Sequence, residues 1–164
     1  MNKFLTLTVE QRCAVFERVG VNVGLPMQAV EKDFWVTLVL QTIFSLPVAE
    51  HLIFKGGTSL SKACGIITRF SEDIDLAVNP IYLGTKEGDL TKKQIKKLRK
   101  ASSLFVSEQL TPMLRTRLEE LGLSAFLNVE AQPDGEGDNT YPEPRQIYVR
   151  YQSVFEKPLT YLRP

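Results

Sequence analysis

Residues 53–76 read IFKGGTSLSKACGIITRFSEDIDL, and the order of events within them decides the fold. A short apolar run ends at Gly56-Gly57, a helical segment follows, and a second apolar run then carries Asp73 and Asp75 one residue apart. Two glycines at a strand end let the backbone turn sharply and let a bulky group approach the main chain. Strand side chains alternate between faces, so an Asp-x-Asp pair on a strand shares one face, with α-carbons about 7 Å apart. Carboxylates so placed repel each other unless a proton or a cation lies between them. That pattern is wrong for a core strand; it suits a solvated edge strand beside a plain glycine turn, or a site that takes a divalent ion.

Outward from this stretch, the flanks supply helices first and strands last. Thr8 with Gln11 is a capping-box pair that opens a helix over about 8–19. Pro26 suits the first turn of a second helix, in which Val30, Phe34, Leu38 and either Ile43 or Phe44 recur at near-helical spacing. HLIF (51–54) is a short buried strand, and TSLSKACG (58–65) fits a two-turn helix with Gly65 near its end. DIDLAV (73–78) is the next strand, stopped by Asn79-Pro80. From Thr91 to about Leu121 a helical pattern runs through Ile95, Leu98, Phe105 and Leu110, with Pro112 expected to kink or split it. SAFLNVEA (124–131) and RQIYVRYQSVF (145–155) read as an antiparallel strand pair across an acidic, Gly/Pro-rich loop. Together these predict an α/β (α+β) fold with a small mixed β-sheet flanked by helices. One domain is expected over 1–164, with N-terminal helices in 1–50 and the core sheet and helices in 51–164.

The 43% apolar content excludes glycine, and adding the 10 glycines brings it into the range of a globular domain. A net charge of +1 supplies no global field for nucleic acid or membrane, so any such preference must be local. The local candidate is TKKQIKKLRKAS (91–102), where Lys92, Lys93, Lys96, Lys97, Arg99 and Lys100 crowd one helix. It is either a solvated face or a contact to an RNA phosphate backbone. Cys13 and Cys64 lie far apart, match no metal-ligand spacing, and read as reduced thiols of a cytoplasmic protein. MNKFLTLTVEQRC has no signal-peptide core, and no apolar run approaches the roughly 18 residues that span a bilayer. The final SVFEKPLTYLRP opens like a further strand, so the chain is expected to be the N-terminal part of something longer.

Neither the Walker A spacing nor the dinucleotide fingerprint is present around Gly56-Gly57. A helix starting near Thr58 or Ser59 would still aim free N–H groups at an anion, with the Ser59 hydroxyl added. Asp73 and Asp75 offer the oxygen ligands that Mg²⁺ takes when it shares them with phosphates. Ser59 is disfavoured as a covalent nucleophile because no base is spaced with it. His51 reads as structural, and Phe34, Trp35 and Phe70 as core.

The order FKGGTSLSK…RFSEDIDL resembles the nucleotidyltransferase superfamily of the DNA polymerase β type, whose signature is hG[GS] followed by Dh[DE]h. More narrowly, it is similar to the AbiEii/AbiGii toxin family of bacterial toxin–antitoxin and phage-defence systems. That family carries KGGTSL, then R-x-S-x-D-I-D-L, and an upstream helix like EKDFWVT; residues 31–37, 53–62 and 69–76 hold the likeness. The resemblance implies a Mg²⁺-dependent enzyme that moves a nucleotide from an NTP to an acceptor, tRNA in some members, and a cognate antitoxin as partner. On that likeness Gly56, Gly57, Thr58, Ser59 and Lys62 would hold the triphosphate, while Asp73 and Asp75 would bind metal and act in catalysis. Arg69 and Ser71 would belong to the phosphate side of the site, or Arg69 would brace the turn or pair with the carboxylates. Lys55 reads as a solvated lysine. Glu31, Lys32 and Asp33 either border the nucleotide pocket or form a surface charge cluster.

The family pattern also includes a third carboxylate on a later strand and a helical C-terminal region. Asp138 and Glu143 fall in a loop and the strand at 147–151 has no acid, so the missing ligand is expected after Leu159. Two other readings stay open: the same fold acting on a small molecule of the aminoglycoside kind, and a non-catalytic nucleotide- or antitoxin-binding module.

Overall fold

The computed structural model describes residues 3–65, 73–86, 88–133 and 146–156. After a 3-10 turn at Lys3–Thr6, helix α1 spans Val9–Val23, opened by the reciprocal Thr8–Gln11 cap. Helix α2 spans Met27–Ile43 behind Pro26, and α1 packs along it. Phe4, Phe16 and Phe34 interlock at that junction with ring centroids 4.9–6.0 Å apart. The deepest face of α2 runs through Trp35, Val39, Thr42 and Ile43; Phe34 and Leu38 are half-buried and Phe44 is exposed. The expected inward line through Phe34 and Leu38 is therefore rotated. The helix is apolar on nearly every side, so periodicity alone could not choose the face.

Strand β1 (Leu52–Lys55) pairs antiparallel with β2 (Asp75–Val78), and helix α3 (Gly56–Lys62) lies between them in sequence. Strands β3 (Leu127–Ala131) and β4 (Ile147–Tyr151) form a second antiparallel pair, in the expected arrangement. The helix-rich α+β class stands. The expected mixed sheet is instead two separate antiparallel pairs among the described residues.

Helices α4 (Lys92–Leu104) and α5 (Thr111–Glu120) are joined by a π-helical turn over Phe105–Leu110. Pro112 is the physical cause of the break, because its ring collides with the carbonyl four residues back and it has no N–H to donate. The widened turn accommodates both faults without ending the helix. The Thr111 N–H donates to the Val106 carbonyl, and so does the Thr111 hydroxyl, at 2.7 Å. Phe105, Leu110, Leu114 and Leu118 thereby face the same core as Trp35, Val39, Leu52, Leu127 and Val129. Each such buried side chain contributes about 1.5–3 kcal/mol relative to exposure. β1 and β2 give Leu52, Leu76 and Val78 to this core, or to its edge, and turn Ile53, Lys55, Asp75 and Ala77 away from it.

Candidate nucleotide and metal site

The register of the first sheet sets the site. Lys55 lies opposite Asp75 and Ile53 opposite Ala77, so these four side chains share the face turned away from the core. Ile53 is 62% exposed, and Lys55 and Asp75 are exposed beside it. Gly56 follows directly, with φ +75, a conformation that L side chains avoid. A Cβ on Gly56 would lie 2.0 Å from Oδ2 of Asp75. The Asp75 carboxylate thus rests in the space that only a glycine leaves open, and the glycine turn and the acid form one place on the surface.

Asp73 is exposed and precedes β2, which begins at Asp75. The two acids are therefore not alternate positions of one strand, and the shared-face argument from sequence does not hold for them. What brings Asp73 to the turn is Thr58, whose hydroxyl donates to the Asp73 main-chain carbonyl. Thr58 is fully buried, so its side chain braces the segment rather than facing a ligand. Ser59 is also buried, and its hydroxyl donates to the Gly56 carbonyl at 3.0 Å. Helix α3 begins at Gly56, two positions before the expected start, so Gly56 and Gly57 form its first turn.

Lys62 donates to Asp33 Oδ1 at 2.6 Å and to Thr37 Oγ1 at 2.9 Å, which ties α3 to α2. Glu31 is neither a pocket border nor part of a surface cluster. It is 1% exposed, and its carboxylate accepts from Ser153 Oγ at 2.6 Å and from the Val154 N–H at 2.9 Å. Lys32 sits over the Tyr151 ring, 5.7 Å from its centroid. The EKDFWVT segment is therefore a clamp: one acid holds the chain beyond β4, the other holds α3. Nothing in sequence marks Glu31 for burial, since its partners come more than a hundred residues later.

Arg69, Phe70 and Ser71, and likewise Asp138, Glu143 and Leu159, lie outside the described residues. Among the described residues no group of three or more His, Cys, Asp or Glu could hold a metal. The exposed Asp75 carboxylate at the glycine turn, with the exposed Asp73 two residues before it, suits Mg²⁺ shared with phosphates and waters and does not suit an all-protein cage. His51 stacks on Tyr82 with centroids 4.0 Å apart, as a structural residue would.

On α4, Lys92, Lys93, Lys96, Lys97 and Lys100 are all exposed, and Ser103 is its one buried residue. This helix reaches the sheet through Leu98, Arg99 and Ser102, which with Val78, Pro80 and Leu83 line a shallow groove. Val78 ends β2 about 10 Å from Asp75 at the usual strand rise.

No curated protein and no solved structure matches the chain. A family model does, the nucleotidyl transferase AbiEii toxin of type IV toxin–antitoxin systems, over residues 38–163. The match begins inside α2, after the EKDFWVT segment, and takes in the glycine turn, both aspartates and the basic helix. Among the described residues no helix is long and apolar enough to cross a membrane. Because the match covers well over half of the sequence, the chain belongs to the AbiEii family of nucleotidyl transferase toxins of type IV toxin–antitoxin systems.

Proposed function

We propose that this chain binds an NTP and Mg²⁺ at the Gly56–Asp75 corner and transfers the nucleoside monophosphate to an RNA acceptor of the tRNA kind. The observation that carries the reading is the Asp75 carboxylate seated against Gly56. In the reaction an acceptor hydroxyl oxygen bonds to the α-phosphorus, the bond to the β-phosphate oxygen breaks, and pyrophosphate leaves as the hydroxyl proton is lost. Mg²⁺, when bound, supplies neutralisation of the phosphate charge and acidifies the attacking hydroxyl. Asp73 and Asp75 would hold the ion, Gly56 makes room for the Asp75 carboxylate, and Gly57 beside it would let the main chain approach the triphosphate. Thr58 fixes Asp73 through its carbonyl, Ser59 secures the first turn of α3, and Lys62 anchors the other end to α2. Arg69 and Ser71 are proposed on the phosphate side from the R-x-S-x-D pattern alone.

An RNA acceptor is favoured over a small molecule by two features. The corner is exposed rather than enclosed, and the lysines of α4 stand out on a helix that meets the far end of β2. Such a patch contacts phosphates without reading sequence, and its effect falls with salt. Family membership implies an antitoxin partner; a cytoplasmic setting and a role in phage defence are part of the same proposal.

The test is transfer of label from α-labelled NTPs to total RNA, with and without Mg²⁺. Asp75→Asn and Asp73→Asn are each expected to cut transfer about 100-fold or more, a scale typical of lost transition-state stabilisation, without lowering the melting temperature. Wild-type transfer by Asp75→Asn would overturn the assignment. Transfer to an aminoglycoside but not to RNA would replace the acceptor, and Mg²⁺-dependent NTP binding without any transfer would leave a binding module.

A further inference from the structure

Two lysines flank the glycine turn, and the structure gives them opposite circumstances. Lys62 is half-buried and engaged by Asp33 and Thr37. Lys55 is exposed, lies directly across from Asp75 in the strand register, and makes no ion pair among the described residues. Directly opposed residues of an antiparallel pair have β-carbons about 4.5–5.5 Å apart, so the lysine stem rises from the same face as the acid. Asp75 does not take up the ammonium, because its carboxylate is turned onto Gly56. Among the described residues an ammonium and a carboxylate therefore stand side by side without an ion pair, on the exposed face next to Gly56.

We infer that Lys55 is a polyphosphate-binding residue of this site, gripping the phosphates of the NTP and of the departing pyrophosphate. This rests on the nucleotidyltransferase reading. A carboxylate pair alone repels a triphosphate, and one divalent ion shared with two aspartates leaves most of the phosphate charge unbalanced. Lys55 supplies a compact cation with three donors at the same corner, with enough free stem to follow the phosphates. Ile53, two positions back on the same exposed face, gives the bound nucleotide an apolar neighbour. Lys62, which the family likeness places on the triphosphate, is held instead by Asp33 and Thr37.

The experiment is isothermal titration of inorganic pyrophosphate, ATP and adenosine into wild type, Lys55→Met, Lys55→Arg and Asp75→Asn, in Mg²⁺, alongside the transfer assay. Lys55→Met should weaken pyrophosphate and ATP by about 10- to 100-fold, the scale of one charge-assisted hydrogen bond, and leave adenosine unchanged. Lys55→Arg should keep most of the affinity, and the melting temperature should stay constant because Lys55 is exposed. Wild-type pyrophosphate affinity in Lys55→Met, or no pyrophosphate binding by wild type, overturns the inference. If Asp75→Asn loses transfer while Lys55→Met keeps both transfer and pyrophosphate affinity, Lys55 falls and the transferase reading stands. If no protein transfers nucleotide but Lys55→Met loses pyrophosphate, Lys55 stands as an anion ligand and the transferase reading falls.

Discussion

Replacing Gly56 with alanine probes the contact on which the site depends. The backbone there has φ +75, and holding an L residue in the left-handed region costs roughly 1–2 kcal/mol. The new Cβ would meet Oδ2, Cγ and Cβ of Asp75 at 2.0, 2.8 and 2.9 Å. Carbon contacts prefer about 3.5–4.0 Å, so Asp75 must leave its rotamer or β2 must shift, adding about 1–3 kcal/mol. The sum, about 2–5 kcal/mol, lowers the melting temperature by roughly 5–15 °C for a chain of this size. A double-mutant cycle separates the two terms. In an Asp75→Ala background the Oδ2 and Cγ collisions vanish and the 2.9 Å β-carbon contact remains, so Gly56→Ala should cost about 1–2 kcal/mol of backbone strain plus a smaller steric part. Asp75→Asn keeps the shape and removes the charge, so there the full cost should return. Denaturant melts of the single and double variants measure all of this. Equal cost of Gly56→Ala in the wild-type and Asp75→Ala backgrounds would refute the placement of the carboxylate against the glycine.

Glu31→Ala should destabilise by about 2–4 kcal/mol, since it leaves the Ser153 hydroxyl and the Val154 N–H without their buried acceptor; a change under about 0.5 kcal/mol, the range of ordinary surface substitutions, would show that the clamp carries no load. In the second sheet, the Asn128 side chain first and then Arg150 hold the exposed Glu130 carboxyl below its usual range. A depressed folded-state pKa contributes stability above the unfolded value and loses it as pH falls through the folded value. Amide-exchange protection of β3 should therefore weaken as pH falls below the ordinary glutamate range, and Arg150→Ala should flatten part of that dependence. Unchanged protection of wild type over the same range would oppose it.

Much of the fold was legible because its determinants are local. The Thr8–Gln11 cap, Pro26 before α2 and the break at Pro112 each act within one or two helical turns. The β3–β4 pair was legible from alternation on both sides of a turn-rich loop. At the candidate site, residue type and spacing singled out the glycine turn and Asp75, which the fold brings into contact. The burial of Thr58 and Glu31 was not, because polar side chains enter a core only where a distant partner meets them.

By itself the sequence determined the order of elements, the glycine turn and the acids after it, since capping, proline geometry and period-two alternation operate over a few residues. Only the tertiary structure decided that β1 meets β2 with Lys55 across from Asp75, that Asp75 lies on Gly56, and that Glu31 holds residues 153 and 154. A strand of four residues states which side chains share a face but not which strand, in which register, will face them. That choice rests on burying Leu52, Leu76 and Val78 against helices from distant parts of the chain.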